Sequence, residues 1–176
     1  MDSSDESLAR AAQMGDREAF GLLVERVYDR VFGLGFRLTG DRAEAEDLAQ
    51  DVCLSLPARL KSWRGEGKLS TWLYRVTVNA ARDRFRRRAA HARAAEGWGD
   101  WEVARQADLA EASERLDWLT RAMRALNDDL RETLALVLDG VSHAEAGAVL
   151  GVSEGTVSWR VSEAKKRLKA VKEAEG

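Results

Sequence analysis

Proline is nearly absent from this chain: Pro57 is the single one in 176 residues. Proline removes a backbone donor and breaks helices. Its scarcity, with Ala, Arg, Glu and Leu abundant, points to a mostly helical protein. No run of alternating apolar residues reads as a strand. Cysteine is equally scarce. Cys53 stands alone, which excludes an intrachain disulfide and a cysteine metal cluster. His91 and His143 are the only histidines, and they lack metal-ligand spacing. No phosphate loop, catalytic triad or metal constellation appears, so an enzyme is not expected and no cofactor is called for. No apolar run approaches membrane-spanning length. The N-terminal M-D-S-S-D-E-S lacks the apolar segment of a secretory signal. The expectation is a cytoplasmic chain without membrane contact of its own.

Charge is plentiful but nearly balanced: 33% of residues are charged and the formal net charge is −2. The balance hides segregation. Between residues 82 and 93 there are six Arg against Asp83. Between residues 96 and 117 there are seven acids against Arg105 and Arg115. Between residues 160 and 172 there are six bases against Glu163. Two basic patches separated by an acidic segment suggest two DNA contacts, because local fields rather than net charge guide such association. DNA would repel the acidic segment, which could instead occupy a basic groove in a partner.

Helix signals recur along the chain. A short first helix spans residues 8–14 and ends at Gly15. Asp16 caps a second, whose apolar stripe is Phe20, Leu23, Val24, Val27, Val31, Leu34 and Leu38, closed by Thr39-Gly40. Asp41 opens a third, with Glu44 placed for a capping box. Ala45, Leu48, Val52 and Leu56 face inward there. Asp47, Gln50, Asp51 and Leu54 share another face, which reads either as solvated or as suited to a basic helical partner. Pro57 should kink or end this helix near residues 53–56.

The most informative stretch is residues 63–88, W-R-G-E-G-K-L-S-T-W-L-Y-R-V-T-V-N-A-A-R-D-R-F-R-R-R. From Ser70 on it reads as one helix with two stripes. Leu69, Leu73, Val76, Thr77 and Ala80 form a core face. Trp72, Arg75, Asn79, Arg82 and Arg86 form a rail of cations with one aromatic and one amide. Guanidinium forks fit phosphate oxygens, Asn can read a base edge, and Trp can stack on one. Gly65, Gly67 and Lys68 form a loop beside Trp63. After Arg88 the pattern weakens into a linker holding Trp98 and Trp101.

A helical period resumes over residues 107–126. Asn127 caps a helix running to Leu138, with Leu130, Leu134 and Val137 inward. Ser142-His143-Ala144-Glu145 is a capping box. Gly151-Val152-Ser153 is a turn, and Ser153 caps a last, basic helix reaching about Lys172. A short helix, a Gly-containing turn and a longer basic helix spell a helix-turn-helix. Val157, Val161, Ala164, Leu168 and Val171 face inward on it. Gly155, Ser158, Trp159, Ser162 and Lys166 face outward, flanked by Thr156, Arg160 and Glu163. An exposed Trp159 calls for a partner.

Together these segments resemble the two-domain, extracytoplasmic-function sigma factors of bacterial RNA polymerase. The resemblance rests on A-E-A-E-D-L-A-Q-D-V, on the stretch over residues 63–88, and on G-V-S-H-A-E-A-G-A-V-L-G-V-S-E-G-T-V-S-W-R-V-S-E-A-K-K-R-L. It implies an all-α fold of two small helical domains: residues 7–90 for core polymerase and the −10 element, an acidic linker over 91–115, and a helix-turn-helix over 116–172 for the −35 element. It implies that Asp47, Gln50, Asp51 and Leu54 grip the clamp helices of the polymerase β′ subunit. It implies −10 contacts from Trp63, Lys68, Leu69, Ser70, Trp72, Arg75, Asn79, Arg82 and Arg86, with the loop capturing a flipped base. It implies −35 contacts from Ser153, Glu154, Thr156, Ser158, Trp159, Arg160, Ser162, Glu163 and Lys166. The implied partners are core RNA polymerase (β′ and β subunits), promoter DNA and an anti-sigma factor. Cys53, Pro57, Trp159, Ser162 and Glu163 depart from the family's usual pattern. Glu163 would repel phosphate, yet it could accept a hydrogen bond from cytosine. Two rival classes remain open on the residues alone: a free-standing regulator binding an operator by its last helix, and an adaptor that sequesters other proteins.

Overall fold

The computed structural model describes residues 4–95 and 114–175, and these form eight helices and no strand. The N-terminal half contains α1 (Asp5–Gln13), α2 (Arg17–Thr39), α3 (Arg42–Leu60) and α4 (Leu69–Ala95). The C-terminal half contains α5 (Glu114–Arg124), α6 (Asp128–Leu138), α7 (His143–Leu150) and α8 (Glu154–Glu175). Trp98, Trp101 and most of the acidic segment fall outside the described residues.

Local chemistry sets most helix ends. Asp16, Asp41, Asn127 and Ser142 each accept a hydrogen bond from the backbone N–H three residues on, at 3.0, 2.9, 3.1 and 3.2 Å. Each satisfies an amide that a helix start leaves unpaired. Ser153 does the same for Thr156 at 3.1 Å. The capping box at Ser142 is complete. The one expected at Asp41 is half made, because the Glu44 carboxylate turns to Arg88 instead.

In the first half, Leu23, Val27, Val31, Leu34 and Leu38 of α2 pack against Leu48, Val52, Leu56 and Leu60 of α3 and Leu69 and Leu73 of α4. Each of these is 2% exposed or less. In the second half, Leu126, Leu130, Leu134, Val149, Val157 and Val161 close a smaller core, and the two cores form one continuous apolar cluster.

Two expectations are corrected. Pro57 does not end α3, which runs on to Leu60. Proline removes one backbone bond, but Leu56 and Leu60 on either side are held in the core at 1% and 2% exposure. Nor does α4 stop at Arg88; it continues to Ala95, two residues before Gly97.

The halves are docked. Gly40 ends α2 with φ 67°, and a Cβ there would lie 2.6 Å from Arg124 Nε and 2.9 Å from Thr120 Cγ2 of α5. Helix α4 packs on α7, and α2 packs on α6. This explains why Tyr74, Val78 and Ala81 are buried as well as the expected Leu73, Val76 and Thr77.

The helix-turn-helix turns on Gly147, where a Cβ would lie 2.7 Å from the Val152 carbonyl oxygen. Gly147→Ala should destabilise the chain by about 2 kcal/mol through backbone displacement. Gly155→Ala meets nothing closer than 3.9 Å and should be neutral or stabilising by about 0.5 kcal/mol. Urea unfolding of the two variants tests this contrast.

Candidate nucleic-acid interface

Three surfaces were expected to carry function, and the structure treats them differently. On α3, Asp47, Gln50, Asp51 and Leu54 all lie exposed on one face. Leu54 is 80% exposed, an unusual position for a leucine that no neighbour covers. Arg84 of α4 reaches Asp51 at 2.6 Å and Asp47 at 3.7 Å, so the face is acidic, apolar at its Leu54 end and bordered by a cation. An open cleft between α3 and α4, lined by Asp51, Leu54, Arg84 and Arg87, continues it.

On α4, the rail is solvent-facing at Arg75, Asn79 and Arg86, and half-buried at Trp72 and Arg82. The Asn79 side chain has no hydrogen-bond partner among the described residues. The cations are already occupied. Arg82 donates from Nε and Nη2 to both carboxylate oxygens of Glu132, at 2.8 and 2.6 Å. Glu132 lies on α6 and is 6% exposed. Arg75 donates to the Ala148 carbonyl at 2.6 Å, near the negative end of α7. Lys68 meets Glu145 at 2.5 Å. Arg86 alone turns to its own helix, pairing with Asp83. The hydrogen bond to Glu145 holds the Lys68 ammonium above its ordinary range and the Glu145 carboxyl below its own. The fork to Glu132 raises Arg82 in the same way.

Asp139, at the end of α6, clamps the same seam. It accepts from Arg37 Nη1 at 2.5 Å and from the Tyr74 hydroxyl at 2.6 Å. Burial first, then this hydrogen bond, pushes the Tyr74 hydroxyl well above its usual range. Sequence reasoning missed Glu132, Asp139, Arg37 and Tyr74. Glu132 carried no local signal, since it sits between Arg131 and Thr133 and reads as one more polar residue of an amphipathic helix.

The loop between α3 and α4 is built on Gly65 and Gly67, at φ 74° and 72°. Two residues expected at the strand are core residues instead. Trp63 is 5% exposed and Leu69 is 2% exposed, so neither side chain faces solvent. The Trp63 indole N–H has no hydrogen-bond partner among the described residues. Lys68 is exposed and Ser70 half-buried beside them.

At the cap of α8 and along it, Ser153, Glu154, Ser158, Trp159, Ser162 and Lys166 are exposed, and Thr156 and Glu163 are half-buried. Trp159 is 63% exposed. Ser158 Oγ lies 2.8 Å from His143 Nδ1, which ties α8 to the start of α7. Glu163 pairs with Arg167 at 3.1 Å, so its charge is offset locally and repels phosphate less than a bare carboxylate would. Arg160 is a correction: it pairs with Asp129 at 3.1 Å with its side chain 13% exposed, which commits it to the domain's own packing. Among the described residues no group of acids, histidines and cysteine could hold a metal ion, and no helix is long and apolar enough to cross a membrane.

This pair of helical units has relatives. The family described as Sigma-70 region 2 matches residues 23–91, and Sigma-70, region 4 matches residues 116–168. The chain is 36% identical over 167 residues to the ECF RNA polymerase sigma factor SigM of Mycobacterium tuberculosis, spanning 94% of this chain and 83% of that protein. It is 30% identical over 177 residues to the ECF RNA polymerase sigma-E factor of Escherichia coli K12, spanning 94% and 92%. The solved structure of CnrH in complex with the cytosolic domain of CnrY matches with TM-score 0.72 and 26% identity, over 98% of this chain and 99% of that one. The sigma factor RpoE of Bartonella quintana, solved with the anti-sigma factor NepR, matches with TM-score 0.71 and 25% identity, over 89% and 98%. The protein belongs to the ECF sigma factors of RNA polymerase, subunits of transcription initiation.

Glu132→Gln should weaken the docked structure by about 2 kcal/mol, since a buried partner is lost while Arg82 remains partly solvated. Arg82→Gln combined with Glu132→Gln should recover part of that loss. A double-mutant cycle from urea unfolding measures the coupling.

Proposed function

We propose that this chain directs core RNA polymerase to a particular promoter set by reading two DNA elements at fixed spacing. The exposed α3 face, Asp47, Gln50, Asp51 and Leu54, grips a basic helical element of the β′ clamp. The loop over residues 64–68 captures a flipped −10 base. Arg75, Asn79, Arg82 and Arg86 then hold the unpaired strand by its phosphates. Serine, threonine, lysine and Trp159 side chains of α8 read the −35 element in the major groove. Residues 96–113 act as the acidic connection between the two readers, and a protein of the anti-sigma class restrains them.

One observation carries this reading. Arg82, Arg75 and Lys68 each hold an oxygen of the second half: a carboxylate, a carbonyl and a carboxylate. Groups that grip carboxylate oxygens in a fork fit phosphate oxygens as well. The docked state thus presents stand-ins for a DNA strand, and promoter binding exchanges them for phosphates. The α3 face stays open meanwhile, so polymerase can engage before DNA does. Flipping a base costs a few kcal/mol of stacking, which loop contacts and phosphate pairing offset. Tethering both readers to one enzyme raises their effective concentration, so neither needs high affinity alone.

In vitro transcription with core polymerase over a randomised promoter library tests the reading. The expected result is a defined −35 and −10 pair, with no specific footprint from the free chain. Asp47→Lys with Asp51→Lys should abolish transcription without unfolding the protein. Strong sequence-specific footprinting by the free chain, or tolerance of that charge reversal, would indicate a stand-alone regulator.

A further inference from the structure

Helix α1 carries three polar residues, Glu6, Arg10 and Gln13, at spacings of four and three, hence on one face. Sequence reasoning assigned them no role. All three meet the loop that connects α3 to α4. Gln13 Nε2 donates to the Leu60 carbonyl at 2.6 Å and to the Trp63 carbonyl at 2.8 Å, so both its hydrogens pin the loop's entry. Glu6 Oε1 accepts from the Leu69 N–H at 3.1 Å and so caps the start of α4 from 63 residues away. The Arg10 guanidinium lies over the middle: a Cβ on Gly65 would sit 3.3 Å from its Nη2.

The loop has little internal support. Ser62 and Trp63 donate to the end of α3, but the backbone N–H groups of residues 64–68 have no acceptor among the described residues. Two of these residues are glycines at positive φ, the positions with most freedom to move. A loop without its own hydrogen bonds takes its shape from whatever holds its ends. Here that is α1, joined at Lys68 by Glu145 of α7 while the halves are docked. The helix is itself fixed independently of the loop: Ala9 is fully buried, and Asp5 lies 3.5 and 3.6 Å from Arg26 and Arg30 of α2.

We propose that α1 is the template of the −10 reading loop, with Gln13 and Glu6 as positioning residues that set base selectivity by fixing where residues 64–68 present their free N–H groups. This rests on the reading above that the loop captures a base. It separates two duties. The arginines of α4 set how tightly any strand is held. The α1 clamp sets which base is accepted.

The test uses holoenzyme and four promoters differing only in the captured −10 base. Gln13→Leu keeps the side-chain bulk but removes both donors. Discrimination between the preferred base and the others should fall by about tenfold, the worth of one well-placed base contact. The salt dependence of promoter binding should stay unchanged, since no phosphate contact is lost. Arg82→Gln should do the reverse, weakening all four promoters alike. Glu6→Leu should repeat the Gln13→Leu result, while Glu6→Gln, which keeps an acceptor oxygen, should restore discrimination. If Gln13→Leu does not fold, the two Glu6 variants decide. Uniform scaling of the four promoters, or unaltered discrimination in both leucine variants, would overturn the role of α1. Absence of any base preference in the unmodified holoenzyme would instead overturn the base-capture reading itself.

Discussion

A carboxylate placed in a helix–helix seam needs a cation, because an isolated buried charge costs several kcal/mol. Glu132, 6% exposed on α6, is such a group, and Arg82 of α4 supplies the cation through a two-bond fork. That requirement fixes how the two halves meet. Once Glu132 faces Arg82, the end of α6 falls beside Arg37 and Tyr74, and Asp139 accepts from both. The start and end of α7 then fall beside Lys68 and Arg75. Gly40 lets α5 approach where any side chain would collide. The apolar contacts of Tyr74, Val78 and Ala81 strengthen the seam, but the ion pairs give it register.

The same pairs limit what the seam can do. In the proposed reading, docking and strand binding compete for Arg82 and Lys68, because the guanidinium edge that forks Glu132 and the ammonium that meets Glu145 are the groups a phosphate would take. The carboxyl of Glu145 titrates below its ordinary range, and its pairing with Lys68 is therefore retained above that range and lost only as pH falls through the depressed value. Near neutrality the docked arrangement is electrostatically complete. In the proposed reading, polymerase and promoter DNA must together outweigh it, which makes the free chain a weak DNA binder. The α3 face lies outside this competition: Arg84 borders Asp51 and Asp47, and Leu54 remains open.

Much of the fold is legible in the sequence because its signals are local. The caps at Asp16, Asn127, Ser142 and Ser153 act within four residues, and the stripes of α2, α4 and α8 repeat at the helical period. The α3 face, too, follows from spacing. Long-range partners escaped. Trp63 reads as a surface aromatic beside a basic loop, yet the packing of α1 through α4 encloses it. Pro57 reads as a breaker, yet two buried leucines carry the helix past it. Arg160 reads as a DNA contact, yet Asp129 on another helix claims it. Gln13 and Glu6 carry no local signal at all, since their partners lie 47 to 63 residues away. The rail on α4 is visible as cations, but not that carboxylate and carbonyl oxygens of the same chain already occupy them.

The claim that the second half and a DNA strand compete for one set of cations is tested most directly by the distance between the halves. Fluorescence energy transfer between dyes at Met14→Cys and Lys172→Cys, in a Cys53→Ser background, reports that distance. The account predicts high transfer in the free chain, a shift to lower transfer as holoenzyme melts promoter DNA, and a shift already present without DNA in Glu132→Gln. Unaltered transfer across promoter melting would contradict it.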